Sequence, residues 1–439
     1  MLRLITRLNV GGPAQHAMIL CRDLDSSRFA TTLVSGAPHA WEADLTPEVR
    51  AAGLSPIVLP TLRRHVRCFD DLRTFVAIIR LLRQVRPAIV HTHMAKAGTL
   101  GRLAAWLCRV PIRLHTFHGH VFHSYFSGWK SRLVALIERL LGALSDCLIV
   151  LSARQQEEIC DRFHVAARSH TRIVPLGLDL ARFAAPSGQA GRLRAELGID
   201  RGTPLIGFVG RLVAVKDPDL FLEIAAAWRD APATAPSLPP PCFAIIGGGE
   251  LGPALERRCR ALGLAGRVRF CGWRRDLEAI YADLDAVVLT SRNEGLPVAL
   301  LEAMAAGVPV LAADVGGVAD LLELPAGGAA ESAAGWCEAP SGLLARSRDP
   351  QVWRAALVTL LTQRQATRRR CERAQRRVLE QFSAKRLVAE IETLYLELLE
   401  QKGLLPWAAP GVGAPAAAPG SRGHEGAALP GERRLPPVR

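Results

Sequence analysis

The sequence predicts an α/β protein made of two parallel-sheet units in series. Short apolar runs of strand length alternate with longer segments of helical period through most of the chain. Several strand-like runs end in glycine or polar turns, where α/β proteins place ligands. The chain has 439 residues, too many for one ordinary core.

In order, residues 2–9 read as a strand ending at Gly11-Gly12-Pro13, with Gln15 and His16 opening the helix beyond. Residues 14–25 suit a helix and 30–34 a second strand. Residues 70–86 are helical, with Leu72, Phe75, Val76, Ile79 and Leu82 forming the apolar face until Pro87 stops the helix. Strands follow at 88–91, 112–116, 147–151 and 173–175, with helices at 98–108 and 130–142. Ser152 caps a further helix, with Gln155 or Gln156 nearby. Such repeated β-α-β units call for a parallel sheet covered by helices on both faces.

Residues 177–203 read as a linker followed by a small helix ending at Gly198. The second unit begins with a strand at 205–210, and further strands fall at 243–246, 268–270, 286–290 and 308–312. Residues 228–241 read as an exposed Ala/Pro-rich excursion and 326–340 as a loop. Residues 351–401 are mostly helical. Arg368–Arg370, Arg373, Arg376 and Arg377 are expected to form a basic surface, and Phe382-Ser383 a kink or new start. From Pro406 the Pro/Ala/Gly-rich composition reads as a disordered tail.

No run of 18 apolar residues suggests a spanning helix, and the N-terminus reads as a strand rather than a signal peptide. The ten cysteines contain no CxxC pair, which fits reduced thiols better than disulfides or structural zinc. A net charge of +14 calls for anionic company, or reflects an inflated arginine content. No nucleic-acid-binding motif is found, so nucleic acid is not the expected partner.

The chemistry concentrates in a few turns. Ser291–Glu302 reads S-R-N-E-G-L-P-V-A-L-L-E, placing Glu294 in a loop after a strand and Glu302 inside the next helix. Carboxylates there can accept from sugar and ribose hydroxyls, while the N–H groups of Gly295, Leu296 and the helix start can face phosphate. In Gly210-Arg211-Leu212-Val213-Ala214-Val215-Lys216, two cations beside a glycine turn can converge on a diphosphate, whose charge grows as its bond to a sugar breaks. Gly247-Gly248-Gly249 allows close backbone approach to an anion but lacks the Walker ending. Six of the twelve histidines lie between His91 and His123. His91 and His93 are expected on opposite strand faces, no acidic partner is near, and no metal site is expected. His118 is the best cleft histidine.

These motifs together resemble the large glycosyltransferase family 4 of the GT-B fold, over about residues 4–400. The matching elements are Glu294 to Glu302 (E-x7-E), Gly210-Arg211-Leu212 through Lys216, Val268-Arg269-Phe270-Cys271-Gly272, Thr116–Gly119 (T-x-H-G) and the Gly11-Gly12 loop. The resemblance implies two Rossmann-like domains facing across a cleft. The acceptor domain would span 1–178, a linker 179–203, the nucleotide-sugar domain 204–380, a helix crossing back to the first domain 381–402, and the tail 403–439. It implies that Arg211 and Lys216 hold the donor diphosphate, with Gly210 and Gly248 beside it. Glu294 would bind the donor sugar and Glu302 the ribose, and Arg269 and its neighbours would frame the base. His118 would meet the sugar from the other domain, and Gly12 would lie near phosphate and acceptor.

The implied activity is retaining hexosyl or N-acetylhexosaminyl transfer from a nucleotide-sugar, UDP preferred, with no active-site metal. The expected acceptor is a glycan or a polyprenyl- or other lipid-linked molecule of cell-surface polysaccharide or lipopolysaccharide assembly. No N-domain carboxylate is placed as a nucleophile; the resemblance implies same-face substitution in which the leaving diphosphate helps deprotonate the acceptor. Residues 121–141 carry Phe122, Tyr125, Phe126, Trp129, Lys130, Arg132 and Arg139 among leucines. This pattern fits either a helix packed on a sheet or a surface resting on an anionic inner membrane, and the expected location is cytoplasmic, peripheral on that face. Epimerisation of a sugar-nucleotide, phosphorolysis, or non-catalytic polyanion binding stay open as alternatives.

Overall fold

A computed structural model describes residues 1–38, 42–119, 128–184, 188–230, 238–324 and 335–405. The proposed tail from Pro406, residues 231–237 of the excursion, 325–334 around the loop, and His120, Phe122, His123, Tyr125 and Phe126 lie outside them. So do the side chains of Trp129 and Lys130.

The first half is one seven-stranded parallel sheet, in the order β3-β2-β1-β4-β5-β6-β7. Its strands are β1 (Leu2–Ile5), β2 (Thr32–Gly36), β3 (Ile57–Leu59), β4 (Ile89–His93), β5 (Ile112–Thr116), β6 (Cys147–Val150) and β7 (Thr171–Ile173). The connecting helices are α1 (Gly12–Asp23), α2 (Thr46–Ala51), α3 (Cys68–Val85), α4 (Ala95–Leu107), α5 (Gly128–Ala143) and α6 (Ala153–Glu157). β1 stops at Ile5, short of residue 9, because Leu8 and Asn9 pair with Leu45 and Asp44 instead. On one face of β1, Leu2 and Leu4 join Ile78, Leu82, Ala97 and Ala104 in a compact apolar cluster.

The expected face of α3 is met in part: Leu82 is buried, and Phe75 and Ile79 pack partly buried against the same cluster. Thr74, Ile78 and Leu82 are its buried residues, whereas Leu72 is 61% exposed and Val76 37% exposed. Apolar residues cover more of this helix than its neighbours can bury, so period found most of the inward stripe but set its edge too wide at Leu72 and Val76.

The second half forms another seven-stranded sheet, β10-β9-β8-β11-β12-β14-β13. Its strands are β8 (Leu205–Val209), β9 (Cys242–Ile246), β10 (Val268–Gly272), β11 (Ala286–Leu289), β12 (Val310–Ala313), β13 (Trp336–Ala339) and β14 (Gly342–Ala345). All pairings are parallel except β13 with β14, which is antiparallel. Part of the expected 326–340 loop is therefore the edge strand β13. Two short helices, α7 (Ala181–Ala184) and α8 (Arg192–Leu197), precede this sheet. They bury Phe183 and Leu193, so the segment read as a linker packs into the core. The later helices are α9 (Pro218–Asp230), α10 (Gly252–Ala261), α11 (Leu277–Asp283), α12 (Val298–Ala305), α13 (Val318–Leu321), α14 (Pro350–Thr362) and α15 (Arg364–Gln381).

The basic surface expected on α15 is largely neutralised. Arg373 and Arg377 pair with Glu323, Arg370 with Glu338, and Arg368 with Glu372. Hydrogen bonding from Arg373 holds the Glu323 carboxyl down at about 2. These ion pairs weaken the case for a free polyanion-binding patch on this helix.

After Phe382 the chain returns to the first sheet as α16 (Ala384–Gln401). Ser383 caps it by accepting from the Arg386 N–H at 3.3 Å. Leu178 N–H donates to Phe382 O at 2.8 Å, and Ala384 N–H to Leu178 O at 2.9 Å. Leu387, Ile391, Leu394, Tyr395 and Leu398 recur at helical spacing and are buried, each contributing roughly 1.5–3 kcal/mol of apolar transfer for a large aliphatic side chain. One apolar cluster runs from α1 through α16 to α12 and β12, joining both halves.

A candidate site between two switch points

In each sheet the chain adds strands outward from one central strand, then crosses back to start on its other side. The switch falls between β1 and β4 in the first sheet and between β8 and β11 in the second. Neighbouring loops diverge there and leave a crevice at the carboxyl ends of the strands. Gly11-Gly12 follows β1, His93 ends β4, Arg211 and Lys216 follow β8, and Glu294 follows β11.

On the second sheet, Lys216 Nζ lies 2.5 Å from Glu294 Oε1, with both side chains largely shielded. Ser291 Oγ donates to the same oxygen at 2.6 Å. Thr290 Oγ1 donates to the carbonyls of Lys216 and Asp217, and Arg292 N–H to Val215 O, so the end of β11 is stitched to the Lys216 turn. Glu294 is braced from behind by Gly316, whose φ is +55°; a Cβ there would meet Glu294 O at 1.7 Å. Only glycine fits that backbone and that gap. A Cβ on Gly247, at φ +136°, would likewise meet Gly210 O, at 1.9 Å, and Gly210 N–H donates to Ile246 O. The Gly210 and Gly248 turns thus lie backbone to backbone.

On the first sheet, Arg3, His91 and His93 share one face of adjacent strands, with Arg3 beside His91 and Ile5 beside His93. This corrects the expectation that His91 and His93 face opposite ways: residues two apart on a strand point the same way, and their rings are 4.3 Å apart. His93 Nδ1 is 3.0 Å from His118 Nε2, and His16 packs edge-on against both rings. Burial pushes His16, His91 and His93 well below the usual imidazole range, and His118 down to about 3. Nitrogens of His16, His93 and His118 all lie within 4.8 Å, a spacing a metal ion could accept. The charge environment opposes a cation, because the Arg3 guanidinium stands 3.2 Å behind His93 and, among the described residues, no carboxylate joins the group.

The two halves meet at this site. A Cβ on Gly295 would lie 2.6 Å from His118 O, and one on Gly12 would lie 3.1 Å from Val298. Arg7, after β1, is held by Glu42 at 2.9 Å and feels the repulsion of Arg64 and Arg211. Lys216 is thus paired with Glu294, Gly295 lies against His118 and Gly12 against Val298, and Arg211 lies close enough to Arg7 of the first half to repel it, while Leu296 packs against the shared core.

Glu302 is buried on α12, one turn in, and Tyr281 Oη donates to its Oε2 at 3.0 Å. Burial pushes its carboxyl up to about 7, against the pull of that hydrogen bond. Arg269 is not brought to the crevice. It lies mid-strand on the edge strand β10 and donates back to Ala265 O at 3.0 Å, away from the strand's carboxyl end. Trp273, just past that end, stands there instead, its Nε1 2.5 Å from where a Cβ on Gly248 would be. Sequence reasoning missed Trp273, Ser291, Gly316 and the Arg3–His93 pair. An aromatic next to a strand-ending glycine and the Gly316-Gly317 pair after β12 were the available signals; the Arg3 contact had none.

Comparison with known proteins agrees with this geometry. The family model described as glycosyl transferase 4-like domain matches residues 11–177, and that of glycosyl transferases group 1 matches residues 190–378. An Escherichia coli protein, UDP-Gal:alpha-D-GlcNAc-diphosphoundecaprenol alpha-1,3-galactosyltransferase, is 33% identical over 264 residues, 59% of this chain and 66% of its own. The chain thus spans just under two thirds of that relative. D-inositol 3-phosphate glycosyltransferase of Salinispora tropica is 28% identical over 397 residues, 82% of this chain and 78% of its own. The crystal structure of Anabaena Alr3699/HepE in complex with UDP and glucose superposes with a TM-score of 0.71 at 18% identity, covering 90% of this chain and 99% of that one, which establishes the shared fold. With both halves matched by these models, the chain belongs to the family 4 type of GT-B glycosyltransferases.

Proposed function

We propose that this enzyme moves a sugar from a UDP-sugar to a lipid-linked or glycan acceptor, with retention of configuration and without an active-site metal. The observation that carries the reading is the shielded Lys216–Glu294 pair beside the Arg211 turn, facing His118 from the other half. Fixed cations stabilise the growing charge of a departing diphosphate more than that of the bound donor. Glu294 is suited to accept from donor-sugar hydroxyls and His118 to contact the same sugar. Glu302 with Tyr281 would hold the ribose, and Trp273, in place of Arg269, would lie against the base. Gly210, Gly248, Gly295 and Leu296 would let backbone N–H groups approach the phosphates.

On this reading residues 1–178 bind the acceptor and 204–380 the nucleotide-sugar, while 381–402 cross back and tether the two. The E. coli relative's lipid-diphosphate acceptor and the UDP bound to the Anabaena protein support the choice of acceptor and donor. Cell-surface glycan assembly is the matching role.

A membrane-facing surface is part of the proposal. α5 buries Ala135 and Leu141, yet Leu133, Leu136, Ile137 and Leu140 point outward beside the exposed Arg132 and Arg139. Trp106 and Leu107 at the end of neighbouring α4 extend the patch. Apolar and basic groups together suit an anionic leaflet. No helix among the described residues is long and apolar enough to cross a membrane.

The test is a mass-spectrometric screen of UDP- and GDP-sugars against membrane lipid extracts. Release of UDP with a hexose or N-acetylhexosamine added to a lipid is expected, and loss of that product with Lys216→Ala. No transfer from any donor, alongside salt-sensitive DNA binding, would overturn the reading. Donor turnover without acceptor would favour epimerisation.

A further inference from the structure

Arg3 is fully buried beneath the candidate site, and among the described residues no ion pair reaches it. Its Nη1 lies 3.0 Å from His91 Nδ1 and 3.2 Å from His93 Nε2, and its Nη2 donates to Tyr395 Oη at 3.1 Å. A guanidinium only donates hydrogen bonds and keeps its charge in proteins. Both imidazole nitrogens facing it must therefore accept. His93, accepting at Nε2, carries its proton on Nδ1. That atom is 3.0 Å from His118 Nε2, which must accept in turn. A neutral His118 then has its one proton on Nδ1.

The neighbouring contacts agree. Tyr395 Oη, having accepted from Arg3, donates at 2.6 Å to His91 Nδ1, taking most of the single lone pair that the longer Arg3 Nη1 contact shares, and His91 Nε2–H is left to donate to Thr116 Oγ1 at 2.7 Å. Every bond in the set runs one way, outward from the arginine. Tyr395 belongs to α16, so the crossover helix holds the starting point of the relay.

We propose that Arg3 and His93 are positioning residues that lock His118 in its Nδ1-protonated tautomer, so that His118 meets the substrate as an N–H donor to a sugar hydroxyl oxygen and not as a base. This rests on the reading that His118 contacts the donor sugar. Burial beside the Arg3 charge keeps His93 neutral, as the one-way pattern requires.

The tautomer is read directly from long-range proton–nitrogen spectra of the full-length protein labelled with nitrogen-15 histidine, the His118 signal being assigned by its loss in His118→Gln. Wild type should show His118 protonated on Nδ1. His93→Phe should release it to a mixture of tautomers and lower kcat about tenfold or more, with UDP affinity unchanged. His93→Asn, whose amide N–H stands where Nδ1–H stood, should restore both the tautomer and most of the rate. A wild-type His118 protonated on Nε2 overturns the proposal, as does an unchanged tautomer in His93→Phe. If His93→Phe fails to fold, the wild-type and His93→Asn spectra decide alone. The spectra need no substrate: an Nδ1–H tautomer in a protein that transfers no sugar would sink the functional reading and support the relay.

Discussion

Lys216 Nζ and Glu294 Oε1, 78 positions apart in sequence, lie 2.5 Å apart across the β8–β11 switch point. Each shields the other's charge, and each is held by its own loop: Glu294 by Ser291 and Gly316, Lys216 by Thr290 bonding its carbonyl. Charge fixed in this way needs no rearrangement when a diphosphate leaves, which is the condition for electrostatic catalysis.

Replacing either partner should therefore cost activity far more than stability. Lys216→Ala should weaken UDP binding and lower kcat, and Glu294→Ala should lower kcat mainly, each by about 10²–10³-fold. Calorimetric titration with UDP and steady-state transfer rates measure the two effects. Near-normal turnover in either variant would remove this pair from the mechanism.

Glu302 gives a pH signature. Its folded carboxyl titrates at about 7, against 4.5 for an ordinary glutamate. The folded state therefore favours the protonated form. Its stabilising contribution is complete below about pH 4.5 and disappears as pH rises through 7, a change on the order of 3 kcal/mol. Urea midpoints of wild type should fall between pH 5 and pH 8 relative to those of Glu302→Gln, which lacks this titration. Parallel pH profiles for the two proteins would contradict the assigned environment.

Contact between the halves can be probed at Gly295. An added methyl would sit 2.6 Å from His118 O, on backbone that cannot swing aside. Gly295→Ala should cost roughly 1–3 kcal/mol by overpacking and should push the halves apart. Small-angle scattering should show a larger radius of gyration with transfer reduced; unchanged values for both would mean that this contact does not govern closure.

The outward leucines of α5 test membrane association. Leu136→Ser with Leu140→Ser should reduce sedimentation with phosphatidylglycerol vesicles, and Arg132→Ser with Arg139→Ser should make the remaining binding less sensitive to salt. Fold and soluble-donor hydrolysis should not change, since these side chains face away from the core. Equal sedimentation of all variants would remove the membrane surface from the proposal.

Much of the fold was readable because strand and helix periods survive in local sequence. β5 begins and ends where the pattern put it, and Gly198 stops α8 in left-handed backbone. The edge strand β13 was not readable, because its exposed Glu338 breaks the buried run expected of a parallel strand. The expected face of α3 was right at Phe75, Ile79 and Leu82 but wrong at Leu72 and Val76, because the helix is apolar on more than one side. Arg269 was misplaced for a related reason: motif order fixes the strand but not which residue reaches its carboxyl end.

By itself the sequence determined the alternation of strands and helices, the glycine turns, and the cations and carboxylates that follow particular strands, since each depends on neighbours within a few residues. The tertiary structure alone decided that Lys216 pairs with Glu294, that Arg370, Arg373 and Arg377 are neutralised by distant carboxylates, and that Arg3 bonds to His93 and Tyr395. Those partners lie tens to hundreds of residues apart. Their meeting depends on strand order and on the return of α16, which no local pattern encodes.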